Sequence, residues 1–187
     1  MRIIAGKHKG RTLTTPKGDD TRPTLGRARQ SLFDILEHGK FSETGESLLP
    51  GAKVLEAFAG SGAFGFEALS RGAAFVILMD NDRAAQAAQR KNAATLDETK
   101  SVRILGADAL KPPLGEPQTL VFLDPPYREG LGMPALAALR AAGWVGFGTL
   151  CILEVAAKED VVVPDGFAVL DERQYGPAKF VFLKVTE

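Results

Sequence analysis

From about residue 52 onward, short apolar runs alternate with longer segments whose apolar positions recur at helical spacing. Residues 52–56, 75–80, 102–105, 119–123 and 150–155 read as five strands. Residues 65–71, the alanine-rich 83–95, and 133–142 read as the helices between them. This alternation predicts a Rossmann-like α/β fold, a parallel sheet with helices on both faces. The pattern then changes. Residues 168–173 and 179–185 are two β runs joined by a short turn at Gly176-Pro177, too short for a helical crossover, so they are expected to pair as an antiparallel hairpin.

The first fifty residues follow a different pattern. Residues 1–22 are basic and punctuated by glycine, as in a strand or hairpin. Pro23 and Thr24 open a helix reaching to about Glu37, with Ala28, Leu32, Ile35 and Leu36 on one face. Residues 41–50 read as a polar loop. The chain therefore divides into a small N-terminal extension, residues 1–50, packed on a main domain of residues 51–187. The helix's apolar stripe is expected to face the sheet, leaving Arg27 and Arg29 near its first turn.

Composition excludes some classes. At 187 residues, 45% hydrophobic and 25% charged, the chain is an ordinary globular one. No apolar run approaches the roughly 20 residues that span a bilayer, and no signal peptide is evident, so a cytoplasmic protein is expected. The single cysteine, Cys151, excludes an internal disulfide and argues against a cysteine-rich metal site. Net charge is zero, but residues 1–30 carry +6 and the remainder −6. Arg2, Lys7, Arg11, Arg22, Arg27 and Arg29 are thus candidates for a polyanion-binding surface. The plain structural alternative is a solvated basic arm.

The segment Glu56-Ala57-Phe58-Ala59-Gly60-Ser61-Gly62-Ala63-Phe64-Gly65 follows a strand and opens a helix, so its glycines can bring backbone close to a ligand. Gly60, Gly62 and Gly65, with Asp80 further on, also fit the dinucleotide fingerprint. Glu56 argues against a dinucleotide, because a carboxylate in the pocket repels a pyrophosphate but suits the cationic amino-acid end of S-adenosylmethionine. Asp80, after the second strand, can accept from ribose hydroxyls, and Asp108, after the third, from an adenine amine. Phe58, Ala59, Gly60, Ser61, Gly62, Asn81 and Ala109 complete the candidate cofactor loops. Helix or turn capping by Asp80, Asp82 and Asp108 is the structural alternative.

The fourth strand ends in Asp124-Pro125-Pro126-Tyr127. Two prolines stop a ladder and stiffen the turn. An exocyclic amine on a base is a poor nucleophile, because its lone pair is delocalised into the ring. The Asp124 carboxylate and the Pro125 carbonyl can hold its two hydrogens and direct that lone pair toward a methyl sulfonium, with no metal required. Tyr127 would stack on the base, which implies an exposed or flipped-out nucleotide.

Together these motifs resemble the class I S-adenosylmethionine-dependent methyltransferases acting on amino groups. More closely, the chain resembles the bacterial 16S ribosomal RNA guanine-N2 methyltransferases. The likeness runs from Arg2-Ile3-Ile4-Ala5-Gly6 and Gly10-Arg11 through Arg22-Pro23-Thr24, Leu32-Phe33, the glycine loop, Glu67-Ala68-Leu69-Ser70-Arg71-Gly72 and Asp124–Tyr127 to Tyr175-Gly176. The resemblance implies S-adenosylmethionine as cofactor and one guanine of the assembling small subunit as substrate; a monomer is expected. Gly26, Ala28 and Gln30 depart from the acidic residue, valine and glutamate usual in that family, in the helix expected to face RNA. Phe64 and Phe66 replace leucines, as in a repacked core.

Three rivals remain open. An adenine-N6 methyltransferase would use the same Asp-Pro-Pro-Tyr turn, but the chain has no evident target-recognition domain. A nicotinamide oxidoreductase leaves Glu56 and Asp124–Tyr127 unexplained. A non-catalytic RNA-binding assembly protein would need neither loop. His8 and His38 are expected at the surface, Trp144 is expected to pack at a helix end, and Arg128, Arg173 and Lys179 are either phosphate contacts or plain surface charge.

Overall fold

The structure, a computed structural model, describes residues 1–16, 23–126 and 129–186. Its elements are α1 (Pro23–Glu37), β1 (Lys53–Ala57), α2 (Ala63–Ser70), β2 (Phe75–Met79), α3 (Arg83–Thr95), β3 (Val102–Leu105), β4 (Leu120–Leu123), α4 (Gly132–Ala141), β5 (Leu150–Ala156), β6 (Phe167–Tyr175) and β7 (Ala178–Val185). The strands form one sheet in the order β3-β2-β1-β4-β5-β7-β6. The first five are parallel, and β7 runs antiparallel to both β5 and β6. This is the α/β architecture expected from the alternation. No helix among the described residues is long and apolar enough to cross a membrane.

Chain order reverses direction between β1 and β4, which are hydrogen-bonded neighbours. Such a switch point opens a crevice at the carboxyl ends of the strands, where open α/β sheets bind ligands. The loops after β1, β2, β3 and β4 all lie on that edge. The β6–β7 turn lies there too, because Ala178 pairs with Ala156 at the end of β5.

Each sheet face carries its own core. One packs Val54, Val76, Phe122, Ile152 and Phe182 against α2 and the N-terminal segment. The other packs Leu55, Ile77, Val121, Leu153 and Val181 under α4. Trp144, just beyond α4, is buried there and donates its indole N–H to the Pro113 carbonyl at 2.8 Å. Cys151 is buried in the same core, where desolvation pushes its thiol up to about 12.

The N-terminal segment forms a hairpin, with Gly10 donating to the Ile3 carbonyl and Leu13 to that of Met1. Ile3 and Leu13 enter the first core beside Leu32, Phe33 and Leu36 of α1. The hairpin rests on the C-terminal end of α2. Glu67 accepts from the Ile4 and Ala5 amides at 2.8 and 3.0 Å, and the Ser70 carbonyl accepts from Lys7. The approach is so close that a β-carbon on Gly6 would lie 1.8 Å from the Ser70 carbonyl oxygen, and its φ of +77° already favours glycine.

Buried Arg71 completes this junction. It pairs with Glu67 at 2.8 Å and Glu37 at 3.0 Å, lies over the Phe33 ring, and donates to the Gln30 side-chain oxygen Oε1 at 3.4 Å. Ala28 is likewise buried in the core. Two of the three family departures in α1 are thus accounted for by packing, Ala28 in the core and half-buried Gln30 against Arg71. Helical spacing alone could not reveal the hairpin and Arg71 behind that face.

Candidate active site

The turn after β1 is built from backbone that most residues avoid. Phe58, Gly60 and Gly62 have φ of +57°, +50° and +78°. A β-carbon on Gly62 would meet Leu78 and Phe66 at 2.7 and 2.8 Å, and one on Gly65 would meet Val76 at 2.6 Å, so both glycines let α2 pack hard on the sheet. The loop is then pinned from three sides. The Gly60 amide donates to Asp80 at 2.8 Å. Gln89 of α3 donates to the Gly60 carbonyl at 2.9 Å, and Asn92 to that of Ser61 at 3.0 Å.

Glu56 is buried beneath this loop. Its two oxygens accept from the Phe64 and Gly65 amides at 3.2 and 2.8 Å, at the start of α2. Burial pushes its carboxyl up to about 8, outweighing the two amide hydrogen bonds that pull it down. Glu56 takes the amides of the first helical turn, which is also why α2 begins at Ala63 rather than at residue 65. A pyrophosphate would need those donors. The Gly60 and Gly62 amides are committed as well, to Asp80 and the Ala59 carbonyl. The loop fits a ligand without a phosphate clamp.

Asp80 and Asp108 are half-buried at the carboxyl edge, after β2 and β3. Asp80 also accepts from the Asp82 amide at 2.9 Å, and Asp108 from that of Leu110 at 2.9 Å. A carboxylate has about four lone-pair sites, so each can shape its loop and still accept from a hydroxyl or an amine. Asp82 accepts from Ala84 at 3.0 Å and is the N-cap of α3. Asn81 is exposed beside it, and Ala109 is buried under the third loop.

Asp124, Pro125 and Pro126 follow β4 directly, with Asp124 exposed and Pro125 buried. The Asp124 amide reaches the Ala57 carbonyl at 3.4 Å, which puts the acidic turn beside the glycine loop. Tyr127 and Arg128 lie outside the described residues, as does Arg22. Asp124 also lines a pocket that is partly open to solvent. Its walls include Arg29, Glu56, Phe64, Phe122, Glu154 and Phe180. Phe64 and Phe122 stack at 4.2 Å. Sequence reasoning missed Phe122, Glu154 and Phe180, because each lies in an apolar strand where only the period-2 direction of the side chain marks it.

Among the described residues, the basic side chains do not form one patch. Arg2 and Arg27 are exposed, and Arg29 lines the pocket while donating to the Met1 sulfur and the Arg2 carbonyl, both at 2.7 Å. Lys7 and Arg11 instead reach Glu98 and the Thr95 carbonyl at the C-terminal end of α3, the opposite edge of the sheet. His8, expected at the surface, is largely buried and pairs with Glu98 at 2.6 Å. Arg173 pairs with Asp171 at 2.8 Å, and Lys179 with Glu172 at 3.3 Å.

A seven-stranded sheet of this order, with a glycine loop after β1 and an Asp-Pro-Pro turn after β4, is the fold of a class I methyltransferase. The family model described as conserved hypothetical protein 95 matches residues 1–184, and the chain belongs to that family. It is 34% identical over 183 residues to the Escherichia coli protein named ribosomal RNA small subunit methyltransferase D, covering 96% of this chain and 87% of that one. The Haemophilus influenzae protein of the same name is 31% identical over 181 residues, covering 94% and 89%. The solved structure of Escherichia coli yhhF superposes with a TM-score of 0.82 at 32% identity, covering 100% of this chain and 98% of that one. The protein is a methyltransferase.

Proposed function

We propose that this protein transfers the methyl group of S-adenosylmethionine to the exocyclic N2 amine of one guanine in the 16S ribosomal RNA of an assembling small subunit, in the cytoplasm. The observation that carries the reading is the position of Asp124 and Pro125 at the carboxyl end of β4, beside the glycine loop after β1. The relatives' names, small-subunit ribosomal RNA methyltransferases, supply the substrate class.

S-adenosylmethionine, when bound, supplies an electrophilic methyl on a sulfonium. The residues Phe58 to Gly62 would hold it against the end of β1, Asp80 would accept from the ribose hydroxyls, and the Asp108–Ala109 loop would take the adenine. Glu56 sets the floor of that site through α2. The Asp124 carboxylate and the Pro125 carbonyl accept the two hydrogens of the target amine, which turns its lone pair out of the ring. The proton shed by the nitrogen leaves along the Asp124 hydrogen bond to solvent, to which Asp124 is exposed. Tyr127 is assigned to stacking on the base, and Arg2, Arg27 and Arg29 to the RNA around the pocket mouth.

The test uses tritiated S-adenosylmethionine with unmodified small subunits and their assembly intermediates, followed by nucleoside mass spectrometry. Label in N2-methylguanosine at one position, abolished in Asp124→Ala, is expected. Label in N6-methyladenosine would overturn the guanine reading, and RNA binding without transfer would favour an assembly protein.

A further inference from the structure

The mechanism above leaves one buried acid of the pocket unused. Glu154 lies on β5 with 6% of its surface exposed. Leu123 of β4 is in register with Leu153 of β5, so the next residues, Asp124 and Glu154, stand side by side at the carboxyl edge. Phe122 and Ile152 both face the first core, and side chains in strands alternate, so Glu154 returns to that same face. Asp124, Glu154, Phe122 and Phe180 wall one pocket. A planar ring entering it against the phenylalanines would present its edge to two carboxylates on adjacent strands.

We propose that Glu154 selects guanine by accepting the N1–H of the target base while Asp124 holds its N2 amine, an inference that rests on guanine-N2 methylation as the reaction. In guanine the two donors N1–H and N2–H are neighbours on one edge of the ring, matching two neighbouring acceptors. In adenine the amine is flanked by N1 as an acceptor, and a carboxylate aimed at that lone pair repels it. A buried acceptor left facing another acceptor is strongly disfavoured, which is how a polar site rejects the wrong substrate. Glu154 would thus separate guanine from adenine on an Asp-Pro-Pro turn that can serve either amine.

The experiment compares Glu154→Gln with the unaltered protein on two RNAs. One carries guanosine at the nucleotide that the unaltered protein labels, and the other carries 2-aminopurine riboside there. That analogue keeps the N2 amine but has an acceptor at N1. Glutamine has nearly the shape of glutamate and can donate to the N1 of 2-aminopurine. The expected result is that kcat/KM on guanosine falls about 10- to 100-fold while that on 2-aminopurine holds or rises, so the preference collapses. Equal losses on both RNAs, with unchanged melting temperature and cofactor KM, would overturn the role of Glu154. No transfer to the guanosine RNA by the unaltered protein would overturn the parent reading, and this one with it.

Discussion

The Glu56 carboxyl accepts the Gly65 amide at 2.8 Å across the turn that joins β1 to α2. In a dinucleotide-binding sheet that amide end of the helix faces phosphate. Here a side chain from the preceding strand takes its place, and the amides are no longer open to a phosphate. One acid therefore separates this loop from a phosphate-binding loop of the same glycine spacing.

That acid makes stability depend on pH. Folded Glu56 holds its proton up to about pH 8, whereas the unfolded chain releases it near 4.5. The native state binds more protons in that interval, so the contribution of this group is full below about pH 4.5 and is lost as pH rises through 8. Glu56→Gln removes the titration. Urea unfolding of both proteins between pH 5 and 9 should show the variant gaining a few kcal/mol relative to the unaltered protein as pH rises. A difference that stays constant with pH would contradict a protonated Glu56.

On the proposed reading, Asp124 acts on the reacting amine. It is exposed at the end of a strand whose apolar residues are all buried. Asp124→Asn keeps the shape but weakens an acceptor, and a loss of about 10²- to 10⁴-fold in kcat is expected. Binding of S-adenosylhomocysteine by calorimetry should change little. A parallel loss of cofactor affinity would move Asp124 from the amine to the cofactor.

The strand and helix order was legible because buried parallel strands read as apolar runs and the last two strands are joined by a turn too short for a helix. The glycine loop and the Asp-Pro-Pro turn were legible because backbone conformation constrains residue type directly. Side-chain direction was not. Glu56 belongs to the glycine-loop motif, yet its partners are amides eight and nine residues on. Glu154 hides in an apolar strand and His8 in a basic arm, and each becomes visible only when a distant element packs beside it. The split of the basic residues between two edges follows from the same cause, because the hairpin folds back along α2 and α3.

Gly6→Ala tests how the hairpin is held. The added methyl would overlap the Ser70 carbonyl, and φ is unfavourable as well. A loss of about 2–4 kcal/mol is expected by chemical denaturation, since the backbone must shift at a buried junction. The contacts broken lie at the far end of α2 from the glycine loop. The dissociation constant for S-adenosylhomocysteine should therefore stay within about twofold in the folded fraction.

Asn92 offers the opposite experiment, because it joins the N-terminal segment to the cofactor loop directly. Its amide oxygen accepts from Thr14 at 2.7 Å, while its NH₂ donates to the carbonyls of Thr14 at 2.9 Å and of Ser61 at 3.0 Å. The side chain is buried, so Asn92→Ala strands three backbone groups, at a cost of about 2–4 kcal/mol. Unlike Gly6→Ala, it also frees the Ser61 carbonyl in a turn whose positive φ at Gly60 and Gly62 must be held in place. Affinity for S-adenosylhomocysteine should fall about tenfold, in step with the roughly 1.4 kcal/mol lost from preorganisation of the loop. Calorimetric titration of the two variants side by side separates the roles. If both lose affinity equally, the hairpin as a whole stabilises the cofactor loop, and Asn92 is not its specific link.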